Sequence, residues 1–230
     1  MSNGKPKGMR IGESVFCGGY LAFALVAGII FLTHRDRSAA GFASTCAAMT
    51  LLLGCGDAFH LVPRILINIQ GEAHSAYDER RRSFWLGLGN LVSSITMTVF
   101  YVLLPSALQQ MPGYEGVGTP GLQLVRTLLV ALAIVRIALC LFPQNRWFDG
   151  TGSREWGIRR NLPFVAMGII TVLYLLLWYR AWLLAALVTA SFACYMGVVL
   201  YAKERPMMGM LMIPKTVCYI WMIALFLQAL

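Results

Sequence analysis

Charge is scarce in this chain, and the groupings on which soluble chemistry is usually built are missing. Asp, Glu, Lys and Arg make up 13% of the 230 residues, about half the ~25% of an ordinary soluble domain. Acids are the scarcer sign, 10 against 19 bases. There are three histidines, and the six cysteines form no C-x-x-C pair. Nothing thus supports a disulfide framework or a zinc site, and Cys17, Cys46, Cys55, Cys140, Cys194 and Cys218 read as small apolar residues inside apolar runs. No nucleophile elbow, recognition helix or aromatic-basic RNA motif is present. The net charge of +9 thus does not indicate nucleic acid, because the bases sit mainly in short gaps between apolar runs.

What the chain has instead is apolar length. Hydrophobic residues make up 58% of it, and the mean hydropathy is +0.68. A soluble fold of this size could not hide that much apolar surface, so the bilayer must be part of its solvent. Seven runs near the ~20 residues of a spanning helix cover roughly 12–33, 39–69, 83–106, 121–143, 161–180, 182–202 and 206–228. The expected fold is all-α: one polytopic seven-helix membrane domain over 1–230, with no soluble domain. The first run follows Lys5, Lys7 and Arg10, but it exceeds the 7–15 residues of a signal-peptide core and no cleavage site follows, so it reads as a retained helix. The second run is long, and its tail beyond Pro63 is expected to emerge past a kink. The tightest boundary is Tyr179-Arg180-Ala181, where two runs must turn almost at once.

With seven spans, twelve Lys and Arg fall on one face and three (Arg35, Arg37, Arg180) on the other. The bias places the N-terminus in the cytoplasm and the C-terminus outside, most simply in a bacterial cytoplasmic membrane. The connection 144–160, with Trp147, Trp156 and four arginines, is expected as a loop at the cytoplasmic interface.

Against that apolar background, a few ionisable residues stand out. Arg64, Arg126, Arg136 and Lys215 fall within spans together with Asp57 and His60. Charge in hydrocarbon costs at least a few kcal/mol, so such residues face a protein interior and often mark a site. Asp57, His60 and Arg64 are spaced i, i+3, i+7 and share one face of the second helix. Arg64, near the helix end, can snorkel to phosphates. The shorter Asp57 must be paired, protonated or wet. At ~1.5 Å per residue, Lys215 lies ~14 Å into the seventh helix, and Asp57, His60 and Arg136 share its layer. Arg126 falls in the opposite half. Asn90, Ser94, Thr98 and Tyr101, with Ser93 and Thr96 alongside, form a polar stripe on the third helix. It is either interhelical hydrogen bonding or one wall of a pocket. Pro214 beside Lys215 frees a backbone carbonyl, a device that membranes tolerate where it lines a cavity.

Three cations against one acid favour an anion. The leading expectation is a binding or transport protein with a cytoplasm-facing intramembrane pocket for an anionic small molecule or lipid headgroup. Arg64, Asn90, Ser93, Ser94, Thr98, Tyr101, Arg136 and Lys215 would contact the ligand, and membrane lipids are the expected partners. An alternative is a lipid-modifying enzyme in which Asp57 and His60 act as base and acid and Ser93 or Ser94 as nucleophile. A third is a receptor with a Schiff base at Lys215, since a lysine in the seventh of seven helices resembles the microbial rhodopsins. That resemblance ends at Lys215, because helix 3 carries no carboxylate. Seven helices with a buried Asp, His and Ser also resemble the hydrolases related to ceramidases and adiponectin receptors, which use several intramembrane histidines on zinc. Here His34 and His74 fall in loops on opposite sides, so a three-histidine site is excluded. Pro143-Gln144 resembles the PQ-loop transporters by one dipeptide only. No cofactor or metal is called for.

Overall fold

A computed structural model describes residues 7–34, 39–70, 76–114, 117, 119–149, 152–202 and 204–230. Among these, seven helices are long and apolar enough to cross a membrane. They are α1 (Lys7–Thr33), α2 (Ala40–Gln70), α3 (Ala76–Gln109), α4 (Thr119–Leu141), α5 (Arg154–Tyr174), α6 (Trp182–Tyr201) and α7 (Met212–Gln228). A π-turn, Leu175–Tyr179, extends α5, and a 3₁₀ turn, Pro206–Leu211, leads into α7. In hydrocarbon every backbone N–H and C=O must bond within its own segment, which leaves the helix as the economical state for each apolar run.

Each helix packs on its sequence neighbour, and α7 returns to touch α1 and α2, so the bundle closes on itself. α3 is its pillar. Its spanning segment is 61% buried, against 28% for α4 and for α6, and it meets α5 as well as α2 and α4. Neighbouring helices run antiparallel. At one end, the Arg10 guanidinium of α1 donates to the Asn68 carbonyl of α2, and Arg154 of α5 pairs with Glu204 beyond α6. At the other, Gln110 after α3 meets Thr45 of α2, and the Tyr179 hydroxyl donates to the Val117 carbonyl.

Close helix approach depends on glycine. A Cβ on Gly89 of α3 would stand 2.4 Å from the Phe59 carbonyl oxygen and 2.5 Å from the His60 Cα of α2. One on Gly56 of α2 would meet the Thr96 side chain at 2.0 Å. Small residues at such crossings let backbones approach within van der Waals range, the main attraction available between helices in lipid.

One boundary differs from the sequence reading. The segment around Arg154, Arg159 and Arg160 is not loop but the first two turns of α5. Ser153 caps it, its Oγ accepting from the Trp156 N–H at 3.3 Å, a standard N-terminal device. α2 runs through Pro63 to Gln70, the length expected of the second run. The break at Arg180 is where it was expected. The residue takes a left-handed conformation (φ 50°), and α6 begins two residues later.

Two residues of the α4–α5 connection, Asn145 and Trp147, are tied to the end of α4, while Pro143, Gln144, Arg146, Phe148 and Asp149 are exposed. Asn145 is fully buried, and its Nδ2 donates to the carbonyls of Leu139, Cys140 and Phe142 at the end of α4. Its Oδ1 accepts from Arg160 at 2.7 Å. Trp147 donates to the Cys140 carbonyl at 2.8 Å, and the Arg160 guanidinium lies 4.0 Å over its ring.

The α2–α3 crossing gives a direct check. Gly89→Ala forces the two backbones apart and is expected to cost about 1–3 kcal/mol, read as a lower melting temperature in detergent. Gly18→Ala, with nothing within 4 Å of the new Cβ, should be neutral or stabilise by up to about 1 kcal/mol.

Candidate functional site

Asp57 is the acid of the bundle's interior, and hydroxyls hold it. Tyr20 of α1 donates to its Oδ2 at 2.9 Å, and Ser93 of α3 donates to its Oδ1 at 2.5 Å. One donor on each oxygen is what an acceptor-only carboxylate requires. The three residues tie α1, α2 and α3 together at one depth. One turn further along α2, the His60 Nδ1 has no hydrogen-bond partner among the described residues. Another turn on, Arg64 pairs with Glu13 of α1. Arg64 thus does not simply reach for phosphates; it has a carboxylate across the helix interface.

That pair sits in a cleft. About 230 Å³ opens between the first turns of α1, the end of α2 and the start of α7. Glu13, Arg64, Tyr20 and Thr216 give it polar points, and Met9, Phe16, Leu61, Met210, Met212 and Ile213 give it apolar walls. Tyr20 belongs to both the cleft and the Asp57 cluster, so the two are connected through one phenol. A second cleft of about 360 Å³ lies between α5 and α6 and is almost wholly apolar.

Arg136 and Lys215 are elsewhere. Neither lines either cleft. Arg136 is fully buried and Lys215 is 3% exposed. The Arg136 guanidinium lies 3.3 Å over the Phe164 ring, and its Nη2 donates to Asn161 Oδ1 at 3.3 Å. Asn161 also accepts from the Tyr195 hydroxyl at 3.0 Å. The Lys215 ammonium donates to the Met97 sulfur at 3.3 Å and lies 5.3 Å and 5.2 Å from the Tyr195 and Tyr219 rings. It is within electrostatic reach of both Asp57 and Arg136. Phe100, Tyr101, Phe164 and Phe192 complete an aromatic box through mutual ring contacts of 4.6–5.5 Å. Ring faces attract cations, by about 2 kcal/mol or more when desolvated.

The α3 stripe divides. The Ser94 hydroxyl bonds its own helix at the Asn90 carbonyl, and Thr98 does the same at Ser94, both at 2.7 Å. Tyr101 meets the Tyr219 hydroxyl at 3.2 Å. Asn90 is exposed, as is Arg126 on α4. Of the stripe, only Ser93 reaches Asp57. Glu13 and Tyr20 were not legible as site residues. Glu13 stands only three residues beyond Arg10, where a helix meets the interface, and Tyr20 reads as core. The one signal pointing to them is spacing: 13 and 20 are i, i+7 and share a face of α1.

A scan against protein-family models matches none, and searches of curated proteins and of solved structures likewise return no match.

The hydroxyl clamp makes contrasting substitutions informative. Tyr20→Phe and Ser93→Ala each remove one donor from a carboxylate and should destabilise by about 1.5–3 kcal/mol. Ser94→Ala and Thr98→Ala remove only bonds to their own helix and should stay within about 0.5 kcal/mol. Chemical unfolding in detergent measures all four. Equal losses across the set would rule out a special role for the clamp.

Proposed function

We propose that this protein binds, and as a transporter moves, an amphiphile with an anionic headgroup, which it takes up through the α1–α2–α7 cleft. The observation that carries this reading is the Arg64–Glu13 pair within a cleft whose other walls are largely apolar. A ligand site typically combines apolar lining with a few placed polar groups. A volume of about 230 Å³ suits a headgroup with its first methylenes, the remaining chain lying in lipid. The ligand's phosphate or carboxylate exchanges with Glu13 as the partner of Arg64, a charge-assisted contact. Thr216 and the Tyr20 phenol offer further polar contact. When Tyr20 turns to the ligand, Asp57 keeps only Ser93, which gives the interior acid a reason to take up a proton as the cleft fills.

The charge bias supports a cytoplasmic cleft. By position in the sequence, twelve Lys and Arg fall in the segments that flank the spans on the side of the N-terminus, where the cleft opens, and three fall in those on the other side. This is the arrangement of an N-in protein. A fusion of alkaline phosphatase after Leu230 should therefore be active, and a green fluorescent protein fusion there should be dark. The reverse pair of results would turn the cleft to the outside.

Binding is tested in nanodiscs of neutral phosphatidylcholine titrated with fluorescent phosphatidylglycerol. Arg64→Ala should weaken binding about 10- to 100-fold, the worth of one charge-assisted contact. Glu13→Gln removes the competing carboxylate and should tighten it. A salt bridge that only braces α1 against α2 would leave both affinities unchanged, and that outcome defeats the reading. Glycerol 3-phosphate as competitor distinguishes the sources: competition by the soluble compound points to a small phosphate ester, and its failure points to the lipid.

A further inference from the structure

Lys215 is 3% exposed and does not line the cleft that Met212, Ile213 and Thr216 line. The box around it and Arg136 does not balance its charge. Among the described residues no carboxylate is within ion-pair distance of either cation. Among the described residues the Nε and Nη1 of Arg136 have no nitrogen or oxygen partner, although the side chain is fully enclosed, and the Cys140 thiol is the polarisable group beside them. A guanidinium taken out of water without pairing loses several kcal/mol per ion. The Phe164 face recovers part of this, but it covers the plane of the group and leaves the in-plane N–H donors unmet. Lys215 has a thioether, a weak acceptor, as its hydrogen-bond partner.

We infer that the Arg136–Lys215 box binds a monovalent, weakly hydrated anion of the halide class. The class follows from the surroundings. The box is sealed and walled by aromatic rings, whose edges carry partial positive charge. Apart from the two cations, its donors are neutral groups: the hydroxyls of Tyr101, Tyr195, Tyr219 and Ser191, and the Cys140 thiol beside Arg136. A multiply charged phosphate would lose far more hydration there than these groups return, whereas a polarisable monovalent ion loses the least. One such ion meets the Nε and Nη1 of Arg136 and offsets one of the two positive charges. The site is independent of the cleft and of what the cleft binds.

Thermal unfolding tests it. The purified protein is exchanged into sodium gluconate and then titrated with sodium chloride, bromide or iodide at fixed ionic strength. A saturable rise in Tm of about 5 °C is expected, largest for iodide and smallest for chloride. Arg136→Met and Lys215→Met should both abolish the rise. Equal Tm in gluconate and halide, a response to phosphate in place of halide, or an undiminished halide response in either variant overturns the inference. If the variants do not fold, crystals of the unaltered protein grown in bromide decide the matter. An anomalous peak beside the Arg136 and Lys215 side chains supports the site, and its absence removes it.

Discussion

Hydrocarbon satisfies no polar group, and the bundle is arranged around Asp57, the short acid that faces its interior among the described residues. Asp57 cannot reach an interface, so donors must come to it. Tyr20 and Ser93 do so from the helices on either side, and in doing so they set how α1 and α3 are rotated against α2. Once α2 is turned so that Asp57 faces inward, His60 and Arg64 follow on the same face by helical spacing. Arg64 then meets Glu13 where α1 begins, and the cleft forms around that pair.

The interior treats its two signs differently. The carboxylate receives a hydroxyl hydrogen bond on each oxygen. The buried cations receive aromatic faces, one amide oxygen and one sulfur. Faces of rings and a thioether compensate a desolvated cation only in part, because the desolvation cost is several kcal/mol per ion and each ring contact returns about 2 kcal/mol. Asp57 is thus a satisfied structural centre, whereas Arg136 keeps donors with no nitrogen or oxygen partner among the described residues. The same comparison separates Arg64, with its carboxylate partner in an open cleft, from Arg136 in a closed box. The enzymatic alternative needs Asp57 and His60 to act together. In the structure the Ser93 hydroxyl donates to Asp57, the contact a base and its nucleophile would make, while the His60 Nδ1 has no partner among the described residues. The Lys215 amine, for its part, packs against Met97 and lines neither cleft.

Much of the architecture was legible because periodicity and length report the bilayer directly. Seven apolar runs gave seven helices, and the i, i+3, i+7 spacing of Asp57, His60 and Arg64 marked the face that matters. The start of α5 was missed because its first two turns are rich in arginine and resemble an interfacial loop. The Ser153 cap was the available signal. Periodicity says which residues share a face, but not which helix that face meets. Ser93 and Ser94 were therefore indistinguishable: adjacent positions differ by about 100° of rotation, and only the packing against α2 shows that Ser93 turns to Asp57 while Ser94 turns to its own carbonyls. Glu13 was hidden for the same reason, since its meaning depends on α1 lying antiparallel to α2 with Arg64 in register. Asn145 looked like one more loop residue until its three carbonyl partners at the end of α4 were seen.

The most direct measurement is native mass spectrometry of the protein released gently from its own membrane. A cleft built around Arg64 predicts that a stoichiometric anionic amphiphile stays bound after detergent exchange and dissociates under collisional activation as a negatively charged lipid or fatty acid. A bare protein mass, or retention of neutral and zwitterionic lipids in proportion to their abundance, would contradict it.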